Sequence, residues 1–169
     1  MIKKAKVKDM DYSLYEPHID FIYTTLLMIW GGSCIGIGLI AIPYIFQHME
    51  SNTEASHLTS RILKRQDFLI RIIALCMLLL FYFKSKLLYS YQHVEWASYV
   101  AVLHFYIFGK IVSKRLWKLR DSIESFDSPA GEDKKRKQFR RWHIVGRTLY
   151  MGQILGVAAL LYLHAFGLK

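Results

Sequence analysis

The sequence predicts an all-α polytopic membrane protein, a four-helix transmembrane bundle with a cytoplasmic helical hairpin between spans three and four. Hydrophobic residues make up 53% of the 169 residues, and the mean hydropathy is positive at +0.19 although 21% of the chain is charged. These values can hold in one domain only if charge and hydrophobicity are segregated along the chain. Four apolar stretches are long enough to cross a bilayer, which takes about 20 helical residues. Basic residues cluster beside them, where they can meet anionic headgroups.

The predicted spans belong to one domain, residues 1–169. They cover about residues 21–46, 67–84, 93–112 and 145–166. The first span has no charged residue, and its 26 residues can cross with tilt to spare. Pro43, near its end, is expected to kink the helix and to free a carbonyl that a neighbouring helix must satisfy.

The second span is predicted to be the second half of one long helix over about residues 54–84. A capping box, Ser51 to Glu54, opens this helix, because the Ser hydroxyl can accept a bond from a free backbone amide. The third span is less apolar than the others, since it contains Glu95 and His104.

The hairpin is predicted from an apolar stripe that continues after the third span. Its residues recur at 4,3,4,3 spacing and are Val112, Leu116, Leu119, Ile123 and Phe126. The run Asp127-Ser-Pro-Ala-Gly131 breaks the helix. The stripe is expected to be buried either against the chain's own Phe139 and Trp142 or against a partner.

The distribution of Lys and Arg predicts the orientation. The loops between spans one and two and between spans three and four, with the adjoining helix ends, hold fifteen of these residues, and the opposite side holds seven. Short cytoplasmic loops carry the excess of positive charge. Both termini are therefore predicted to be non-cytoplasmic, in a cell inner membrane or an organellar membrane.

The net charge of +10 could indicate nucleic-acid binding in a soluble protein. No recognition module that combines aromatic and basic residues is present, so no nucleic-acid partner is predicted. The sequence also has no nucleophile elbow, P-loop or zinc-protease helix, and no paired carboxylates within the spans. No catalytic residue is predicted, and the pattern favours a protein that is not an enzyme.

Two pairs of small residues are predicted to pack helices. Span one contains Gly32 and Gly36, and span four contains Gly152 and Gly156, both at the spacing that lets helix backbones approach closely in lipid. These glycines predict a contact between spans one and four. Arg71 and Arg147 lie near the basic face and are candidate contacts for a lipid phosphate, or they extend their charges to the headgroups without a specific partner.

The histidines raise the alternative of a haem or copper protein. The candidates are His93, His104, His143 and His164. His104 and His164 are expected on the order of 15–20 Å apart along the helix axes, at 1.5 Å per residue. That separation is too large for one haem, and a metal site would need three or four such groups. No cofactor or metal ligand is predicted.

Short motifs along nearly the whole chain resemble the domain-of-unknown-function 4149 family, the relatives of transmembrane protein 205. The motifs are Ile29-Trp-Gly-Gly32, Ile42-Pro-Tyr-Ile-Phe46, Arg61-Ile-Leu-Lys-Arg65, Lys118-Leu-Arg120, Phe139 with His143, and Gln153-Ile-Leu-Gly156. That family is similar in outline to copper-resistance protein D and to the haem-binding bacterial protoporphyrinogen oxidase. Those proteins commonly place a histidine in the first span, whereas the corresponding stretch here, Tyr23 to Leu26, has none. The resemblance implies the fold and not haem chemistry.

Three functions remain open from the sequence. The first is a scaffold or accessory subunit of a membrane complex, with other membrane subunits or a second copy as partner and anionic lipids around it. The second is a haem- or copper-linked membrane protein. The third is small-solute transport, which is disfavoured because no charge pair is expected within the spans and no second repeat is present.

Overall fold

The computed structural model describes residues 16–87, 93–127 and 134–166, and only the backbone of residues 16, 84–87 and 93–95. The described part is helical, with short turns between the helices. Its elements are α1 (Glu16–Cys34), a π-helical segment (Ile35–Ala41), α2 (Ile42–His48), α3 (Asn52–Leu87), α4 (His93–Asp121) and α5 (Lys134–Phe166).

Four helices are long and apolar enough to cross a membrane: α1 with its continuation through α2, then α3, α4 and α5. Each of the four predicted spans lies inside one of them, so the prediction of four apolar helices is confirmed. Large apolar side chains such as Phe21, Phe68 and Leu155 point outward, exposed on the bundle surface. Such a surface is unfavourable in water and favourable against lipid hydrocarbon. This is the pattern of a membrane protein.

The core lies in the half of the bundle away from the start of α3. Leu27, Trp30, Met77 and Leu160 are fully buried there and come from three different spans. Tyr99 of α4 joins them and donates its hydroxyl to the Ala74 carbonyl of α3 at 2.7 Å. The core therefore fixes the four helices to one another on that side.

The irregularity of the first span lies before Pro43 and not at it. The π-helical turn of Ile35–Ala41 precedes the proline, which stands in the first turn of α2, where a missing N–H is tolerated. The Tyr150 hydroxyl of α5 donates to the Cys34 carbonyl at 2.9 Å, at the start of this turn. The neighbouring helix thus satisfies a carbonyl one turn or more upstream of the expected position.

The long second helix is confirmed, and it begins two residues before the predicted start. The Ser51 hydroxyl accepts a bond from the Glu54 backbone amide at 3.2 Å, so the Ser half of the capping box is present. From Asn52 the helix continues without a break to Leu87.

The apolar stripe of the hairpin packs against the chain itself. The Phe126 and Phe139 rings lie 5.4 Å apart, and a Cβ added at Gly146 of α5 would lie 3.2 Å from Leu116 Cδ1. Trp142 contacts Arg115, which is not a residue of the stripe. However, α4 ends at Asp121, so the last two stripe residues lie in a turn and not on the helix. The helix thus ends six residues before the predicted break at residues 127–131, of which only Asp127 lies within the described residues.

Spans one and four meet, but at different glycines from those predicted. A Cβ added at Gly31 would lie 3.1 Å from Val157 Cγ1, and one added at Gly38 would overlap the Tyr150 ring. A Cβ added at Gly32 or Gly36 would meet no atom of the described residues within 4 Å. The prediction for this pair is therefore corrected: their face of the helix is open.

The other predicted pair packs against the third span. A Cβ added at Gly152 would lie 2.8 Å from Phe105 Cδ1, and one at Gly156 would lie 2.5 Å from Val102 Cγ2. Both partners belong to α4. The small residues of span four therefore serve a close approach of α5 to α4 and not to α1.

Candidate functional site

A partly open cavity of about 820 Å³ lies between all four spans. It occupies the end of the bundle where α3 begins, α4 ends and α5 begins, which we call the basic end. One face of α3 lines it at helical spacing, through Asn52, Ser56, Thr59, Leu63 and Gln66. Small-molecule sites typically have volumes of about 300–1,000 Å³. We call this space the basic cavity.

One wall of the basic cavity is apolar. It consists of the end of the π-helical segment and α2, with Leu39, Ile42, Pro43 and Phe46. This wall faces the polar stripe of α3, so the cavity has a hydrocarbon side and a hydrogen-bonding side.

A buried polar cluster closes the cavity toward the core. The Gln66 side-chain amide donates to the Tyr150 hydroxyl at 3.0 Å, and Tyr150 donates in turn to the Cys34 carbonyl. The Cys34 sulfur lies 3.6 Å from Gln66 Nε2 and 4.0 Å from Gln153 Oε1. Because these groups satisfy one another across three helices, the cluster fixes the floor of the cavity.

A charge cluster forms part of the wall between α3 and α4. Asp67 forms an ion pair with Lys110 and accepts a hydrogen bond from the Tyr106 hydroxyl at 3.1 Å. Arg71, one turn further along α3, lies 3.2 Å from the same carboxylate. Asp67 and Lys110 stand at the ends of predicted spans two and three. The expectation that no charge pair lies within the membrane stays a prediction.

The two arginines named as candidate lipid contacts lie in different places. Arg147 lines the basic cavity. The Arg71 side chain is 52% exposed and pairs with Asp67, outside the set of residues that line the cavity. A lipid-phosphate contact at either arginine stays a prediction.

Arg120, near the end of α4, is buried although it is charged. It is 8% exposed and lines the basic cavity. Its guanidinium contacts a ring nitrogen of His57 and lies 3.3 Å from Asp121, whose own side chain is exposed. The described residues that line the cavity include Lys110, Arg120 and Arg147 against the single acidic Asp67. The cavity is therefore positively charged.

The Thr59 hydroxyl lies on the wall of the basic cavity. Thr59 is 8% exposed and lines the cavity, and no described residue forms a hydrogen bond with its Oγ1. Threonines within helices commonly donate to the carbonyl four residues earlier. A buried polar atom without a partner costs about 1–3 kcal/mol. A ligand oxygen in the cavity would remove this cost.

The edge of the cavity is fixed by Asp127, in the turn that follows α4. Its carboxylate accepts hydrogen bonds from the hydroxyls of Ser51 and Thr53 at 2.9 and 2.7 Å, and from the Asn52 backbone amide at 2.6 Å. These bonds lower the pKa of Asp127 below its ordinary value, and the bond from Thr53 has the largest effect. The carboxylate thereby ties the turn to the start of α3, and it places Phe126 at the cavity.

The four candidate histidines do not come together where their side chains are described. His104 is exposed and its ring nitrogen lies 2.7 Å from the Val100 carbonyl of its own helix. His143 lines the cavity and stacks on Phe139, whereas the His164 ring lies 4.7 Å from the Tyr23 ring. His93 begins α4, and its side chain lies outside the described part of the chain.

No group of three or more His, Cys, Asp or Glu residues that could hold a metal ion occurs among the described residues. The haem and copper alternative stays a prediction. So does the expectation that no cofactor is bound.

Comparisons of the chain with protein-family models, with curated proteins and with solved structures found no match. The resemblance to the domain-of-unknown-function 4149 family stays a prediction from short motifs.

Sequence reasoning missed the cavity residues Thr59, Asp67 and Arg120. The signal that could have found them is a stripe at spacings of three and four along the first half of α3, from Asn52 to Gln66, which is polar except at Leu63. A second such stripe runs along α4, from Tyr106 to Arg120. Two polar stripes on helices that otherwise bury apolar residues indicate a shared polar space between them.

Proposed function

We propose that this chain is a non-catalytic integral membrane protein that binds a small, negatively charged molecule in the basic cavity. The observation that supports it most is the buried Thr59 hydroxyl on the wall of a cavity of about 820 Å³, which has no hydrogen-bond partner among the described residues. Buried polar groups are nearly always hydrogen-bonded, and a bound ligand is one way to satisfy an exception.

The charges around the cavity define the ligand's sign. Lys110 is neutralised by Asp67, while the Arg120 guanidinium is buried next to a single, exposed carboxylate. A buried cation is unfavourable unless it is well paired. Arg147 adds a further positive charge. An anion would therefore be held by charge-assisted hydrogen bonds in a site of low dielectric constant.

The proposal includes the orientation in the membrane. The basic end faces the cytoplasm and both termini face away from it, in a cell inner membrane or an organellar membrane. The excess of Lys and Arg in the loops at the basic end supports this orientation. The cavity then communicates with the cytoplasmic side of the bilayer.

A role as accessory subunit is compatible with this function, and it stays a prediction. The partner would be another membrane subunit or a second copy of the chain. The open face at Gly32 and Gly36 is available for helix packing within the bilayer.

The test is to fill the cavity and to look for a lost ligand. Wild-type protein purified in mild detergent is denatured, and the released compounds are measured by mass spectrometry. We expect about one equivalent of an anionic compound per chain, and its loss from Ser113→Trp, because Ser113 lines the cavity. Ala101→Trp is the matched control, on an exposed position of the same helix.

Two results would contradict the proposal. One is a wild-type extract that contains no stoichiometric compound. The other is equal retention of that compound by the two tryptophan variants.

A further inference from the structure

We infer that the ligand of the basic cavity is an anionic phospholipid, with its phosphate at the Arg120 end and an acyl chain against the apolar wall of residues 39–46. This inference rests on the proposed function and narrows it to one chemical class. It follows from the difference between the apolar and the polar wall of the cavity. It also follows from the level at which each helix changes from apolar to polar residues.

The Arg120 end offers groups that suit a phosphate. A guanidinium presents a planar pair of donors that matches two phosphate oxygens. A buried guanidinium forms a stronger hydrogen bond to phosphate than a solvent-exposed one. Arg120 contacts His57, so Thr59 lies about 3 Å deeper along α3, at 1.5 Å per residue. A phosphate oxygen at this level can accept from the Thr59 hydroxyl, which has no partner among the described residues.

The apolar wall requires a hydrocarbon and not a small polar solute. A free phosphate would leave Leu39, Pro43 and Phe46 against water inside the cavity. A neutral or zwitterionic lipid would cover these residues but would bring no net negative charge to Arg120 and Arg147. Only a molecule with both an anionic head and an acyl chain satisfies both walls.

The level of Cys34 shows which part of the first span forms the apolar wall for the acyl chain. Its sulfur lies next to the Gln66 side chain, so α1 and α3 are level at that point. Beyond Cys34, the first span stays apolar for the 12 residues of 35–46. Over the same level α3 is polar and α4 carries basic residues. The outer side of this apolar section exposes Ile40 and Tyr44, so lipid hydrocarbon can lie outside the same helix that lines the cavity inside.

The experiment measures thermal unfolding of the delipidated full-length protein in one detergent with four added probes. These are phosphatidylglycerol, phosphatidylcholine with the same acyl chains, oleate, and inorganic phosphate. We expect phosphatidylglycerol to raise the unfolding midpoint in a concentration-dependent way, and the other three to raise it much less. Arg120→Gln is expected to weaken the apparent affinity for phosphatidylglycerol at least tenfold, and Arg120→Lys to retain part of it.

Thr59→Val separates a ligand contact from a structural role. Valine has nearly the same shape and removes the unpartnered hydroxyl. We therefore expect an unchanged or higher midpoint without lipid and a smaller rise with phosphatidylglycerol. A residue with only a structural role would not give these opposite signs. Thr148→Val is the matched control, because Thr148 is exposed and its hydroxyl donates to the Ile144 carbonyl.

Each other outcome overturns the inference in a recognisable way. Equal stabilisation by phosphatidylcholine removes the need for negative charge, equal stabilisation by oleate removes the need for a phosphate, and equal stabilisation by inorganic phosphate removes the lipid. If the compound lost from Ser113→Trp is an anion but not a phospholipid, the inference fails while the proposed function stands. If no probe stabilises the protein and no compound is extracted, both fail.

Discussion

Gly156→Leu is expected to lower the thermal unfolding midpoint strongly, whereas Gly32→Leu is expected to leave it close to that of the wild type. A Cβ at position 156 would lie 2.5 Å from Val102 Cγ2 and 3.9 Å from Val102 Cα. Val102 is buried and its branched side chain is stiff, so α4 and α5 must move apart. Overpacking of this kind costs about 1–3 kcal/mol, and more when a backbone must shift.

The comparison within one protein isolates the packing effect. Both substitutions replace a helical glycine by the same side chain, but at position 32 no atom in the described part of the chain lies within 4 Å of the added Cβ. The measurement is a thermal denaturation of the purified proteins in the same detergent. Equal losses of stability at the two positions would contradict this helix arrangement, in which Gly156 faces another span and Gly32 does not.

Asp67→Asn is expected to destabilise the protein by about 2 kcal/mol, between the values typical of exposed and of buried ion pairs. The side chains of Asp67 and Lys110 are 22% and 24% exposed, so water screens the pair only in part. Removal of the carboxylate charge leaves Lys110 beside the cavity without its partner. The free energy of unfolding from denaturant titration is the quantity to compare.

A double-mutant cycle shows whether Lys110 or Arg71 is the ion-pair partner of Asp67 that stabilises the fold. Lys110→Met in the Asp67→Asn background is expected to recover part of the loss, because the unpaired cation is then removed as well. Arg71→Met is the control: Arg71 is 52% exposed, and its removal is expected to cost less than about 1 kcal/mol. A cycle without coupling between Asp67 and Lys110 would contradict the ion pair across α3 and α4.

The local features of the fold were predictable from the sequence. Apolar length alone sets the four helices, and the Ser51 capping box sets the start of α3 to within two residues. The π-helical turn was not predicted: at its start the Cys34 carbonyl accepts a hydrogen bond from Tyr150 of another helix, a partner that no local pattern identifies. The Gly31, Gly32, Gly36 and Gly38 run offers two helix faces, and only the packed bundle selects the face that carries Gly31 and Gly38.

The candidate site was less predictable than the fold. Asp67 and Lys110 are 43 residues apart, and nothing local to either residue indicates that they meet. The local sequence around Thr59 and around Arg120 is typical of a polar residue on the solvent-exposed face of a helix. Their burial follows only from the way α3, α4 and α5 enclose a common space, which is a property of the bundle and not of any one segment.

The basic cavity and its orientation can be tested together by the chemical accessibility of Ser113→Cys, which lines the cavity. The native Cys76 is first replaced by alanine and the buried Cys34 by serine, which keeps a polar group beside Gln66. Vesicles of known orientation are then treated with a small, membrane-impermeant thiol reagent. We predict that the cysteine reacts only when the reagent reaches the cytoplasmic side, and that added phosphatidylglycerol slows the reaction. Reaction from the opposite side, or a rate that phosphatidylglycerol does not change, would contradict a lipid-binding cavity that faces the cytoplasm.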